Sequence, residues 1–278
     1  MFSVIVYGEF RTFEVNLREN LKELFGEIAG PIHFYILTED CDGYADKKKQ
    51  VIDIISGFGY NIMYFERISE CSLYDSEVEN SICLDYHSIP SHQSRDAFTP
   101  KLYYRKALIN QVMNSLTKTN GFTYDKVVSV RLFDMIYKRC KSLSFLNKGD
   151  DEHFLYYGVD SLFIGSKSII NKLYSLEPIS KVIQLDDMNK FQQFYYQNDF
   201  YLSQVMPRLA LETIYQSLIY KYFLTNSMNL RFDYTRHNIN QLWNNALEDN
   251  TNRQDIIDFA TPFIQTDYLF VLHCPRRK

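Results

Sequence analysis

The residues best suited to chemistry in this sequence are an arginine and an aspartate that follow an apolar run. Residues 124–130 predict a buried central strand, and Arg131 and Asp134 come directly after it. In α/β enzymes, ligands bind beyond the carboxyl ends of the strands. A carboxylate there can hold one face of Mg²⁺ or Mn²⁺ while phosphate oxygens and water complete the coordination. We therefore predict Asp134 as a metal ligand and Arg131 as a phosphate ligand; the alternative is an Arg/Asp pair in a surface turn.

Two other places in the chain could bind phosphate. Gly8 and Arg11 follow the first apolar run, where a glycine lets a ligand approach the backbone and a guanidinium can fork onto a phosphate. Lys101 and Arg105 lie one turn apart at the start of a predicted helix, on the stripe that continues into its apolar face. We predict that the inner end of this helix is positive. A structural ion pair is the alternative for these two cations.

Two acids are candidates for contact with an acceptor hydroxyl. Asp160 lies between two short apolar runs, and Glu212 lies in the first turn of a predicted helix. Either carboxylate could act as a general base, or could bind a hydroxyl without taking its proton. The alternatives are a turn aspartate and a first-turn acid that stabilises its helix.

The elements that would position these residues alternate between strand and helix. Apolar runs predict strands at 2–7, 33–37 and 61–65, and helical spacing predicts helices at 16–25 and 51–58. This alternation predicts an α/β fold with a mostly parallel central sheet flanked by helices. Residues 66–98 are polar and weakly periodic and predict a long surface excursion. Further predicted elements are a helix from Thr99 to about 116, strands at 154–157, 161–164 and 266–272, a helix at 169–176 capped by Ser166, and a mainly helical part after 186.

Composition excludes several classes of protein. The 278 residues carry a net charge of −4 and no long basic stretch, which argues against nucleic-acid binding. The five cysteines form no CxxC pair, as is typical of reduced thiols in the cytoplasm. No basic leader and no run of about 18 apolar residues is visible, so we predict no membrane insertion and a cytoplasmic location. The aromatic excess of 22 Tyr and 21 Phe fits either a Tyr/Phe-rich core or rings that stack on a base or sugar.

Several catalytic motifs have no counterpart in the chain. The sequence contains no GxSxG, GxxxxGK[ST] or GxGxxG motif, and its six histidines show no paired spacing. Serine hydrolase, P-loop, dinucleotide-binding and zinc-site interpretations therefore lack their characteristic residues.

Taken in order, these segments resemble glycosyltransferase-like proteins found in large DNA viruses and in some bacteria and algae. The resemblance covers about residues 1–225 and includes a departure, because the acid usually follows the arginine by two residues and here follows it by three. Leu211 also stands where a proline is expected. The matching segments are Gly8-Glu-Phe-Arg11-Thr12-Phe13, Thr38-Glu39-Asp40, Tyr103-Tyr104-Arg105-Lys106, residues 124–134, residues 160–166 and Leu211-Glu212.

The resemblance implies a GT-A-like single domain that uses a nucleoside diphosphate sugar. Residues 1–185 would form the nucleotide-sugar-binding α/β core and residues 186–278 the mainly helical part. Thr38 would join Gly8 and Arg11 at the nucleotide, Mn²⁺ or Mg²⁺ would assist, and the acceptor would be a glycan or a glycoprotein. Two alternatives stay open: a catalytically inactive glycan- or nucleotide-sugar-binding protein of the same fold, and a nucleotidyltransferase, although the clustered carboxylates that the latter needs are not found.

Overall fold

The central element of the protein is a six-stranded mixed sheet. The computed structural model describes residues 1–10, 13–88, 98–133, 135–139, 142–147, 155–157, 162–182, 218 and 269–273. The strands of this sheet are β1 (Phe2–Gly8), β2 (Ile32–Thr38), β3 (Asn61–Arg67), β4 (Lys126–Val130), β6 (Leu155–Tyr157) and β7 (Leu162–Ser166). Their order is β3-β2-β1-β4-β7-β6, in which β3, β2, β1 and β4 are parallel and β7 is antiparallel to both of its neighbours.

Helices cover both faces of this sheet, and a second, smaller sheet lies beside it. The described helices are α1 (Phe13–Phe25), α2 (Tyr44–Gly57), α3 (Ser76–His87), α4 (Phe98–Asn120), α5 (Lys167–Leu173) and the short α6 (Ile179–Val182). The second sheet pairs β5 (Met135–Arg139) with β8 (Leu269–His273) in antiparallel register.

The inner strands are apolar on both faces because helices pack on both sides. In β1, Val4 and Val6 join the core cluster that includes residues of α1 and α2. Ile5 and Tyr7 point the other way and join the cluster that includes residues of α3, α4 and α5. This confirms the predicted α/β class with a mostly parallel central sheet flanked by helices.

Polar side chains of α1 occupy the edge of β5 that β8 does not cover. Asn20 donates from Nδ2 to the carbonyl oxygen of Met135 at 2.7 Å and accepts the N–H of Tyr137 at 3.0 Å. One turn later, Glu23 accepts the N–H of Arg139 at 2.8 Å and an ion-pair contact from Lys138 at 2.8 Å. A buried strand edge without partners costs free energy, so these side chains take the place of a neighbouring strand.

The structure corrects the prediction for residues 66–98 and adds a strand that the sequence analysis missed. Strand β3 extends to Arg67, and α3 lies within the segment predicted as a surface excursion. Asp75 caps α3 by accepting the N–H groups of Glu77 and Val78. The helix buries only Glu79 and Tyr86, so it has no apolar stripe to reveal it. Strand β5 was not predicted.

The predicted start of α5 is confirmed, whereas the start of α4 differs from the prediction. Ser166 caps α5 as predicted, accepting the N–H of Ile169 at 3.3 Å. Helix α4 begins at Phe98, so Thr99 lies inside its first turn and is not the N-cap. Apart from Leu218 and β8, the predicted mainly helical part after 186 lies outside the described residues. Within the described part of the chain, no helix has both the length and the apolar character needed to cross a membrane.

The contacts of Glu23 predict a pH dependence of stability. Burial acts to raise the pKa of Glu23, but the hydrogen bonds from Lys138 and the Arg139 N–H outweigh it, so the pKa is lowered. Glu23 therefore stabilises the fold above the ordinary carboxyl pKa of about 4.3, and this contribution is lost as the pH falls through its lowered folded-state pKa. We expect Glu23→Gln to reduce the free energy of unfolding at pH 7 by about 1 to 2 kcal/mol.

The measurement is urea unfolding of the wild type and the variant from neutral to acidic pH. The difference in the free energy of unfolding between the wild type and Glu23→Gln should become smaller below about pH 4. Glu14→Gln, at an exposed position of the same helix, is the control and should change stability by less than about 0.5 kcal/mol. A difference that stays constant with pH would contradict this account of Glu23.

Candidate functional site

The candidate site lies where the direction of chain crossover reverses in the sheet. The connections from β1 to β2 and from β2 to β3 run through α1 and α2 on one face, whereas the connection to β4 runs through α3 and α4 on the other. Strands β1 and β4 are adjacent and parallel. In open α/β sheets, the carboxyl ends of two such strands form a crevice that binds ligands. Here Gly8 ends β1, and Arg131 follows the end of β4.

The residues at the carboxyl edge of the sheet form a row across three strands. Gly8 is paired in register with Thr38, and Thr38 with Arg67. The structure thus brings together Gly8 and Thr38, which the sequence analysis assigned to the nucleotide. A Cβ added at Gly8 would meet no atom of the described residues within 4 Å, so the part of the chain that the structure describes leaves the space beside this backbone open. The edge therefore has room for a ligand to lie against the backbone of β1.

Arg105 lies below this edge and binds two carboxylates from different elements. Its Nη1 lies 2.6 Å from each carboxylate oxygen of Glu39, which follows β2. Its Nε lies 2.6 Å from Oε1 of Glu79 on α3. Tyr7 donates its hydroxyl to Glu39, and the hydroxyl of Tyr74 lies 2.9 Å from Oε2 of Glu79. These contacts form one partly buried network that connects β1, the residue after β2, α3 and α4. Its members are Tyr7, Glu39, Tyr74, Glu79 and Arg105.

The electrostatics of the network keep Arg105 charged and Tyr7 neutral. Burial by itself would lower the pKa of Arg105, but the bonds to Glu79 and Tyr7 and the charge of Glu39 raise it on balance. Burial and then the neighbouring charge of Glu39 raise the pKa of the Tyr7 hydroxyl well above its ordinary value. One guanidinium and two carboxylates leave a net charge of −1. The network is therefore slightly acidic.

This network changes the interpretation of the two cations on α4. The sequence predicted that the inner end of this helix is positive, but the charge of Arg105 is offset by Glu39 and Glu79. In this arrangement Arg105 matches the alternative of a structural ion pair, and its contact with phosphate stays a prediction. Lys101 lies one turn earlier, half-buried, and stays a predicted phosphate ligand.

The remaining predicted site residues are placed in part. Arg131 is half-buried at the crevice, and its carbonyl oxygen accepts a hydrogen bond from the hydroxyl of Tyr137 at 3.3 Å. Four predicted residues lie outside the described part of the chain: Arg11, Asp134, Asp160 and Glu212. Their roles stay predictions.

The aromatic residues near the crevice pack against the protein itself. Phe10 and Phe133, with ring centroids 5.0 Å apart, are only 7% and 1% exposed. Tyr103 and Tyr104 are 0% and 2% exposed, and the Tyr104 hydroxyl accepts the N–H of Asp75. From their positions beside the predicted donor site, the sequence makes Phe10, Tyr103, Tyr104, Phe133 and Tyr157 candidates for stacking on a base or sugar, but the first four present no open face. Their abundance is explained by the core, while the side chain of Tyr157 lies outside the described residues.

A shallow groove of about 780 Å³ lies at the same end of the sheet, between the start of α2 and the end of β3. Its cations are Lys48, Lys49 and Arg67. The Arg67 guanidinium lies 5.3 Å from the centre of the Tyr44 ring and pairs with Glu70 at 2.6 Å. Arg67 thus connects the groove with the row formed by Gly8 and Thr38.

No metal site is formed by the described residues alone, since they contain no group of three or more His, Cys, Asp or Glu side chains that could hold an ion. The predicted ligand Asp134 is not among them. Residues that sequence reasoning missed are Glu39, whose position at the end of a strand was a usable signal, and Glu79, which had no signal because its helix was not predicted.

The described residues define an α/β protein with a crevice at the carboxyl edge of its central sheet. No family model and no curated protein matches the sequence. The chain is similar to the crystal structure of the glycosyltransferase GlyE of Streptococcus pneumoniae TIGR4, with 12% identity and a TM-score of 0.38 over 100% of this chain. It spans 56% of the length of that protein.

The burial of Arg105 predicts a large loss of stability on its removal. Arg105→Met leaves two carboxylates facing each other in a site where their side chains are 18% and 5% exposed. We expect a loss of about 3 to 5 kcal/mol in the free energy of unfolding, measured with urea.

Arg67→Met is the matched control for this variant. Arg67 also contacts two carboxylates, Glu70 at 2.6 Å and Asp40 at 3.6 Å, but its side chain is 37% exposed. Its removal should reduce the free energy of unfolding much less than removal of Arg105, because solvent screens exposed ion pairs. Equal losses for the two variants would show that burial does not control the strength of the network.

Proposed function

We propose that the protein is a glycosyltransferase that moves a sugar from a nucleoside diphosphate sugar to a glycan or protein acceptor. The observation that carries the proposal is the crevice between β1 and β4. Gly8 and Arg131, chosen from the sequence as donor-binding residues, lie at the ends of these two adjacent strands. A crevice at this position in an α/β sheet is a ligand site by topology.

Each part of the donor has a candidate partner at this edge. The open space beside Gly8 lets the diphosphate approach the backbone, and Arg131 supplies a positive charge on the opposite side of the crevice. Arg11 and Lys101 are the further cations assigned to the nucleotide and its phosphates. Thr38 is in register with Gly8 and Arg67, but it is 0% exposed, so its predicted contact with the nucleotide requires the buried hydroxyl to become accessible. In this proposal Arg105 acts indirectly, by fixing Glu39 at the edge.

A divalent metal would be held by Asp134, which follows Phe133 and precedes β5 in the chain. When bound, Mn²⁺ or Mg²⁺ would neutralise the charge that develops on the leaving diphosphate. His273 of β8 is in register with Met135, the residue that follows this acid in the chain. Asp160 and Glu212 are the proposed acceptor-side carboxylates.

A binding protein without transferase activity is the second candidate. The spacing of Arg131 and Asp134 favours it, because the acid follows the arginine by three residues and not by the two of the resembled proteins, so the predicted metal ligand of a transferase is displaced along the chain. The two candidates differ in turnover. A transferase hydrolyses or transfers the donor sugar, whereas a binding protein retains nucleotide-sugar affinity and releases no nucleoside diphosphate.

The open space at Gly8 predicts a selective loss of donor affinity in Gly8→Ala. The added methyl group meets no atom of the described residues, so we expect an unchanged melting temperature, but the group occupies space that the proposal gives to the donor. We expect affinity for nucleoside diphosphate sugars to fall about tenfold, the equivalent of about 1.4 kcal/mol. Calorimetric titration with UDP-, GDP- and ADP-sugars measures it.

Gly57→Ala is the control, because a Cβ at Gly57 also meets no atom within 4 Å and lies at the end of α2. It should bind the donor like the wild type. Wild-type protein that binds no member of the donor panel would overturn the proposed function. Unchanged donor affinity in Gly8→Ala would exclude a ligand position against this backbone.

The proposed metal ligand gives a separate prediction. Asp134→Ala should abolish the dependence of donor hydrolysis on Mn²⁺ and lower its rate at least about 100-fold, since an uncompensated leaving diphosphate is a poor leaving group. Nucleoside diphosphate release with and without Mn²⁺ measures both effects. Activity that is equal in wild type and variant would rule out Asp134 as the metal ligand.

A further inference from the structure

We propose that Asn20 is a positioning residue for the segment that carries Arg131 and Asp134. This inference rests on the proposed function, because that segment forms one side of the donor crevice. Asn20 itself lies on α1, among the core residues on one face of the sheet, and it is 0% exposed. It acts through the backbone of the segment and need not touch the donor.

The side chain of Asn20 bonds the backbone on both sides of Asp134. Its Nδ2 lies 3.1 Å from the carbonyl oxygen of Leu132 and 2.7 Å from that of Met135. Its Oδ1 accepts the N–H of Tyr137 at 3.0 Å. Leu132 precedes Asp134 by two residues and Met135 follows it directly. One amide thus holds both ends of the stretch in which the acid lies.

Residues 132, 133 and 135 need such a partner because they are buried and, among the described residues, no strand lies beside them on this side. Leu132, Phe133 and Met135 are 0%, 1% and 4% exposed. Strand β4 ends at Val130, and the sheet partner of β5 is β8 on the opposite edge. Buried carbonyl groups require hydrogen-bond donors, and Asn20 supplies donors for two of them.

Asparagine is the side chain that meets this requirement. Its short, planar amide donates two hydrogen bonds, to Leu132 and Met135, and accepts one from Tyr137. An aspartate in its place would turn an acceptor toward two carbonyl oxygens. A leucine of similar size would leave both carbonyls and one N–H without a partner. Either change frees the segment to move away from the crevice.

The test compares Asn20→Asp and Asn20→Leu with the wild type in calorimetric titrations of UDP and GDP in the presence of Mn²⁺. Each variant is first shown to be folded by circular dichroism at the titration temperature. We expect nucleoside diphosphate affinity to fall about 10- to 100-fold, as is usual when a residue that orients a ligating group is removed. Hydrogen exchange at the Tyr137 amide, which bonds Oδ1, should quicken in Asn20→Leu.

Glu23→Gln separates positioning from general stability. Glu23 holds β5 from the same face of α1, but its bonds reach Lys138 and Arg139, farther from the crevice. We expect the Glu23→Gln variant to have a lower melting temperature than the wild type and the same affinity for nucleoside diphosphates.

Three results would overturn the inference, and they are distinguishable. Wild-type protein that binds no nucleoside diphosphate removes the proposed function and this inference with it. Wild-type affinity in both Asn20 variants removes the inference alone. The third result is a loss of nucleoside diphosphate affinity in Glu23→Gln that matches its loss in free energy of unfolding. It would show that α1 supports β5 without positioning the crevice. If Asn20→Leu does not fold, Asn20→Asp decides, because it keeps the acceptor for Tyr137.

Discussion

The arrangement of this protein depends on how the buried backbone after β4 finds hydrogen-bond partners. The chain leaves the central sheet at Val130 and begins a second sheet at Met135, and no strand of the described residues lies beside Leu132 and Phe133 on the α1 side. Asn20 and Glu23 supply the missing donors and acceptors from a helix. A helix that packs on the first sheet thereby also fixes the second. The crevice residues that follow β4 are held at the junction of the two.

The second constraint is the buried charge around Arg105. The Arg105 guanidinium attracts both carboxylates strongly, because all three groups are largely removed from water and little solvent screens them. The network ties the end of β2 to α3 and α4, on the face of the sheet opposite α1. The open edge at Gly8 thus lies between two fixed structures, one hydrogen-bonded and one ionic. A preorganised edge of this kind costs a ligand little free energy to order.

The fold could be predicted from the sequence wherever a local pattern reported burial. The continuous apolar runs of β1, β2 and β4 predicted strands because helices cover both faces of the sheet. Ser166 was recognised as a cap because its side chain bonds its own neighbouring backbone. Helix α3 was not predicted, because it buries an acid and a tyrosine in place of an apolar stripe. Strand β5 was not predicted, because its partners are distant in the chain. They are β8 and the polar side chains of α1.

The candidate site divides in the same way. The sequence by itself determined the strand ends at which Gly8, Thr38 and Arg131 occur, since strand boundaries are local. Only the tertiary structure decided that Gly8 and Thr38 share a row, that Arg105 is bound by Glu39 and Glu79, and that Phe10 and Phe133 belong to the core. The physical reason is distance along the chain. A charge or ring shows its type in the sequence, but its partner is set by packing between segments that are tens of residues apart.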